Sequence, residues 1–322
     1  MTAMKWKKLG KIFDPTQHKL ANDCVQFAQA PQALVFDEFV RIYFSTRSVD
    51  KRNGKYLSHI AFVDMQKNLR DVIRVSDQPV IPLGGLGCFD EHGIFPMNVT
   101  RHGDAVYGYI CGWNRRVSVS VDTAIGLAIS RDDGLTFQRI GDGPVLATSL
   151  HEPCLVGDGF VKVIGGQFHM WYIFGTGWKR FSADAAPDRT YKIGHAVSRD
   201  GVDWVKEEAR QIVDDRLGAD ESQALPTVVQ IDDRYHMFFC YRQSSDFRKN
   251  RHRGYRIGHA CSDDLVNWSR DDENPLLDVT EASWDSDMLC YPHAFKCDGE
   301  VYLLYNGNEF GRYGFGLAVL EL

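Results

Sequence analysis

Carboxylates recur in this chain at a fixed offset from a repeated element. Five positions ahead of Pro31, Pro96, Gly159, Pro226 and Pro292 lie Gln26, Glu91, Cys154, Glu221 and Asp287. Close beside them are Asp23, Asp90, Glu152, Asp220 and Asp285. Carboxylates aimed at one cavity repel each other unless protons, cations or hydroxyl-rich ligands intervene, and such groups suit acid–base work. A second set of residues carries complementary chemistry: Arg47, Trp113-Asn114-Arg115, Trp178, Arg242-Gln243, and Asn306 with Asn308. Tryptophan beside planar donors and acceptors fits a sugar, with a ring face for its C–H side and amides or guanidinium for its hydroxyls. His293, directly after Pro292, is expected on an inner strand as a channel or pocket group. The segment Arg242–Arg256 is basic in an acidic protein. It carries Arg242, Arg248, Lys249, Arg251, Arg253 and Arg256 against Asp246 alone, either as a solvated face or as an anion site for a phosphate, nucleotide or acidic sugar.

These residues hang on a repeat. Pro31, Pro96, Pro226 and Pro292 each open a short apolar strand, and Gly159 stands in the same place in a fifth segment. Six residues on comes a polar turn, at Asp37, His102, Gly165, Asp232 and Asp298. Thirteen residues on stands an aromatic, at Phe44, Tyr109, Tyr172, Phe239 and Tyr305, successive members being 63 to 67 residues apart. A third strand follows in four units, at Ile125–Ala128, Ile193–Ala196, Ile257–Ala260 and Phe315–Ala318. Three of these run into a Ser/Asp turn closed by Phe137, Trp204 or Trp268. No 3.6-residue stripe interrupts the strands. The expectation is an all-β, five-bladed β-propeller of four-stranded antiparallel blades around a central channel. The repeat occupies residues 1–322 as a single domain, with the N-terminal segment closing the last blade. Inner strands then converge, which is why residues just ahead of the anchors are expected to share one mouth.

Composition narrows the function. Lys and Arg number 37 against 43 Asp and Glu, a net charge of -6, which disfavours nucleic acid as a partner. No apolar run approaches a membrane span, and the N-terminus lacks the continuous apolar stretch of a secretory signal. The eight cysteines are scattered without a CxxC pair, so free thiols in a cytoplasmic protein are expected rather than zinc or disulfides. The histidines form no metal spacing; His195 and His259 share one place in two repeats. No metal and no cofactor is expected, and no GxSxG, HExxH, P-loop or dinucleotide fingerprint is present.

The repeat together with Phe89–Pro96, Trp171–Trp178, Trp284–Pro292 and Tyr305–Asn308 resembles the five-bladed propeller glycosidase superfamily of arabinanases, levansucrases and invertases. Glycoside hydrolase families 43 and 32 are the type members. The likeness is greatest to an intracellular branch associated with bacterial surface-polysaccharide genes. It implies a carbohydrate substrate and carboxylates from different blades, one protonating the leaving oxygen and another acting on water or the anomeric carbon. In family 43 the base and a modulating aspartate immediately precede the inner-strand proline. Those positions here are Ala30, Phe95, Asp158, Leu225 and Tyr291, and only Asp158 matches. The position of the family's acid is Ala224, and the invertase motif is echoed only by Asn22-Asp23. Catalysis is therefore assigned to the set upstream. Glu221 is expected as general acid, Asp90 or Glu91 as its partner, and Asp287 with Asp285 as hydroxyl-orienting groups. Arg47, Trp113, Asn114, Arg115, Asp158, Trp178, Arg242, His293, Asn306 and Asn308 are expected to bind substrate. Three readings stand: hydrolysis or transfer of a small glycoside, phosphorylated or nucleotide-linked in one version; phosphorolysis with inorganic phosphate; and glycan binding without chemistry in polysaccharide biosynthesis.

Overall fold

The turns between first and second strands show why the repeats fold as hairpins. Gly165-Gly166 and Asp298-Gly299 both take positive φ at each residue, the backbone of a type I′ turn that matches strand twist. In a computed structural model, which describes residues 4–274 and 277–321, nearly all regular structure is strand. The first units comprise β1 (Lys5–Phe13), β2 (Gln26–Val35), β3 (Phe39–Val49), β4 (Tyr56–Gln66), β5 (Val72–Val75), β6 (Gly93–His102), β7 (Ala105–Arg115), β8 (Val121–Ser130) and β9 (Gln138–Arg139). There follow β10 (Val156–Ile164), β11 (Gln167–Lys179), β12 (Asp188–Ser198), β13 (Trp204–Lys206), β14 (Glu221–Ile231), β15 (Arg234–Gln243), β16 (Arg256–Ser262) and β17 (Ser269–Arg270). The last are β18 (Cys290–Cys297), β19 (Glu300–Asn306) and β20 (Phe315–Glu321).

Three sheets have four strands, β10–β13, β14–β17 and β18–β20 with β1 outermost; the fourth sheet spans β2–β9. That larger sheet divides into two antiparallel halves joined by one parallel pair, Ser58 with Gly93. The inner strands touch in a closed cycle, β2 to β6 to β10 to β14 to β18 and back to β2. The chain's first strand lies antiparallel to its last, Trp6 opposite Leu320.

Two details of the repeat position the site. Each inner strand loses its ladder register around its anchor: between Gln29 and Gln32, Ile94 and Met97, Gly157 and Phe160, Ala224 and Thr227, and Cys290 and His293. Ala30, Asp158, Leu225 and Tyr291 there adopt φ of 50°, 52°, 48° and 58°. An anchor at a bulge owes no hydrogen bond to its neighbour, which is why proline is tolerated, and the bulge re-aims the side chain before it. The second detail is a latch between units. The hydroxyl of Tyr43 donates to the Gly134 carbonyl at 2.7 Å, and that of Tyr109 to Gly201 at 3.0 Å. Each glycine sits at positive φ in a Ser/Asp turn whose serine, Ser130 or Ser198, accepts the glycine amide. The recurrent Ser/Asp signature is thus a clasp that holds one repeat unit against the next. The anchor aromatics Phe44, Tyr109, Tyr172, Phe239 and Tyr305 are all buried between sheets.

Candidate active site

A cavity of about 360 Å³ opens where the inner strands converge. The residue before the anchor reaches it from β6, β10 and β18, as Phe95, Asp158 and Tyr291; Gln29 and Ala224, two before their anchors, reach it from β2 and β14. The far ends of the second strands contribute Arg47, Trp113 and Arg242, and the third strands add Tyr56, Arg189 and Tyr191. Phe247, Arg248 and Tyr255 come from the basic loop, and Glu309 and Phe310 from a short turn after β19. Among the described lining residues the carboxylates are Asp158 and Glu309, against four arginines.

Asp158 is buried, and removal from water drives its carboxyl up to about 7, with the Leu225 amide and Arg189 opposing more weakly. An acid so placed holds its proton into the neutral range and can release it there. Glu309 sits at the rim, where Arg312 pairs with it at 3.0 Å. Arg242 is 1% exposed, donates to the Tyr191 hydroxyl at 3.0 Å, and lies 3.5 Å from the centre of the Phe247 ring. The hydroxyls of Tyr191 and Tyr255 are 2.6 Å apart. Arg47 lies over Phe27 at 4.6 Å.

The carboxylates assigned catalysis from sequence do not meet here. Glu221 is fully buried in an ion pair with Arg270 at 2.6 Å, and it accepts the backbone amides of Arg216 and Leu217 at 2.8 Å each. Asp90 is equally buried and accepts the Arg139 Nε at 2.8 Å. Glu152 pairs with Lys206, and Asp285 with Lys8 at 2.6 Å. In each case the loop leading to an inner strand is clipped to the outermost strand of its own sheet. Glu91 accepts the Gly87 amide within its loop, and Asp287 is exposed, its amide donating to Asn308. None of Glu221, Asp90, Glu91, Asp287 and Asp285 lines the cavity, because the bulge, and not the offset of five, decides which side chain faces inward.

The binding residues divide. Arg47, Trp113, Asp158 and Arg242 line the cavity. Arg115 lies behind Trp113 at 5.5 Å and donates to the Tyr56 carbonyl, while Trp178 lies 5.4 Å from the guanidinium of Arg189. Asn114 continues the ladder opposite Asp122 and does not reach the cavity. Asn306 is a buried staple, accepting the Ala30 amide and donating to the Ala28 and Gly314 carbonyls, each at 2.8 Å. Asn308 fixes its own loop through Asp287 and Ser286. His293 does not line the cavity; it is buried beside Phe160 and Phe295, where burial pushes its imidazole down to about 3. Gln29, Tyr56, Arg189, Tyr191, Tyr255, Tyr291 and Phe310 were not singled out from sequence as substrate contacts, although Tyr291 holds the telling position before its anchor. The structural acids had their own signal: Arg139, Lys206 and Arg270 each stand two residues after the aromatic that closes the Ser/Asp turn.

No protein-family model matches the chain. The uncharacterized protein Rv1502 of Mycobacterium tuberculosis is 34% identical over 324 residues, covering 99% of this chain and 100% of that protein. A 1,2-beta-oligomannan phosphorylase of Thermoanaerobacter is 29% identical over 203 residues, 62% of this chain and 58% of the enzyme. Among solved structures, a glycoside hydrolase superposes with a TM-score of 0.74 at 18% identity, over 97% of this chain and 90% of the other. The chain shares its fold with solved glycoside hydrolases and with a beta-1,2-mannobiose phosphorylase. By sequence, the chain belongs to the family of the mycobacterial protein Rv1502.

Proposed function

We propose that the cavity is the active site of a carbohydrate-active enzyme that breaks or transfers a glycosidic bond, with Asp158 as general acid. The inner-strand cycle and the repeat support a single five-bladed propeller domain across residues 1–322. One observation carries the reading: a lone buried carboxylate, held near neutrality, faces a cavity of sugar size among Trp113, Tyr191 and Tyr291. A general acid must be protonated at working pH and still able to give its proton up, and a carboxyl near 7 meets both demands. All eight cysteines are free thiols, which supports a reducing, cytoplasmic setting.

A second reading is favoured by the same lining. Hydrolysis by paired carboxylates needs a base to activate water, whereas phosphorolysis needs one acid and an anionic acceptor. The arginines and the likeness to the oligomannan phosphorylase support phosphate in that role. The test is product analysis on a panel of disaccharides and aryl glycosides, with and without inorganic phosphate. Turnover is expected with wild type, and D158N should lower kcat by about 100-fold or more while substrate still binds. Turnover that needs phosphate marks phosphorolysis, and turnover indifferent to it marks hydrolysis. Full activity in D158N, or sugar binding without product over long incubation, overturns the acid assignment.

A further inference from the structure

We propose that the side of the cavity formed by β15 and the loop after it is a phosphoryl-binding subsite. Arg242, Arg248, Tyr191 and Tyr255 build it, so that the sugar handled here carries a phosphate or meets one there. The inference rests on the reading of the cavity as a glycoside site and names what that glycoside must be accompanied by.

Arg242 is the central observation. Its side chain is almost wholly buried, yet its hydrogen-bond partners are neutral: the Gln243 carbonyl at 2.9 Å and the Tyr191 hydroxyl at 3.0 Å. Its Nε is buried with no partner at all. A buried guanidinium without a bidentate acid is costly, and the arrangement is retained where an incoming anion completes it. The nearest carboxylate, Asp188, stands 4.0 Å away and is shared with Arg248 at 3.2 Å, so two cations face one acid. Across the cavity the Arg47 Nε is also buried without a partner. Phe247, Tyr191 and Tyr255 hold the Arg242 plane by its faces and edges, fixing a fork of donors. A planar fork beside hydroxyl donors matches a tetrahedral dianion, which takes several donors at once. The approach is basic as well. Lys249, Arg251 and Arg253 follow Arg248 in the exposed part of the loop and steer anions towards the mouth.

The experiment is titration calorimetry with inorganic phosphate, a hexose 1-phosphate, the neutral hexose and the matching hexuronate, on wild type, R242M and R248Q. The phosphoryl compounds should bind wild type at least tenfold tighter than the neutral hexose or the hexuronate, and more weakly as NaCl rises. Tighter binding of the hexose phosphate identifies a phosphate carried on the sugar; inorganic phosphate bound equally well identifies a free one. R242M should lose at least tenfold in phosphate affinity. Should R242M fail to fold, R248Q, altered at a side chain 54% exposed, should still lose severalfold. No binding of any phosphoryl compound, a hexuronate bound as tightly, or unchanged affinity in the folded arginine variants overturns the proposal. D158N separates the two readings: it should stop turnover and leave phosphate binding intact.

Discussion

Replacing Asp158 by Asn tests the electrostatic heart of the site without requiring a known substrate. The carboxyl is raised from 3.8 to about 7 by burial. At about 1.4 kcal/mol per pH unit, ionising it in the folded protein costs about 4 kcal/mol more than in the unfolded chain. Between pH 4 and pH 7 the unfolded chain has already released this proton while the folded protein keeps it. The folded state binds more protons there, so this group's contribution to stability is present at pH 4 and is lost as pH rises to 7. Asparagine has nearly the same shape and does not titrate. The stability gap between D158N and wild type should therefore widen in the variant's favour by about 4 kcal/mol between pH 4 and pH 8, then stay level. With an unfolding entropy of about 2.1 cal/mol/K per residue, this corresponds to roughly 6 °C in Tm for a chain of this length. Calorimetric melting of both proteins from pH 4 to pH 9 measures it. Melting curves that stay parallel across that range would refute a raised Asp158, and with it the claim that burial makes this residue an acid catalyst. Once a substrate is known, the wild-type rate should fall as pH rises through about 7, as the acid loses its proton.

Other perturbations separate structural from functional groups. E221Q removes a charge from a sealed pair with Arg270 and turns an amide donor towards the backbone amides it now accepts. It should cost about 3 kcal/mol in urea unfolding while the folded protein keeps its turnover; lost turnover at unchanged stability would restore a catalytic role. G201A places a Cβ 2.6 Å from the Tyr109 hydroxyl at a φ of +77°, breaking the clasp between sheets. It should lose about 1–3 kcal/mol. G177A, with nothing within 4 Å, should melt within about 0.5 kcal/mol of wild type. W113A opens the cavity wall and should weaken sugar binding about 3- to 10-fold with little change in Tm, as judged by titration and melting together.

The periodicity of anchors, turns and aromatics was legible because each is enforced by backbone needs that leave a residue-type signature. Proline or glycine stands at the bulge, positive-φ residues at the turn and an aromatic between sheets. The carboxylates at the repeated offset lie away from the cavity for a related reason. Repetition brings equivalent backbone positions together, but an offset does not say where a side chain points. Asp90, Glu152 and Glu221 recur as Arg139, Lys206 and Arg270 do, each acid meeting the base of its own unit some 50 residues later. A recurrent acid with a recurrent base is the mark of a clip that every sheet requires. A catalytic group has the opposite signature, since it needs to occur once.

Asp158 has that signature, and its singularity also explains its chemistry. The equivalent positions are Ala30, Phe95, Leu225 and Tyr291, of which Phe95 and Tyr291 share the cavity with it. Carboxylates at those positions would each have drawn water and counter-charges inward, at the expense of the apolar wall around Asp158. Apolar and aromatic side chains there keep water away, and exclusion of water is the leading cause that raises the Asp158 carboxyl to about 7. The departures from the two-carboxylate pattern and the proton held by the remaining acid are therefore one feature. Placing a second carboxylate in the wall, as in Y291E, should admit water and charge together and change both the pH at which Asp158 titrates and the reaction it can support.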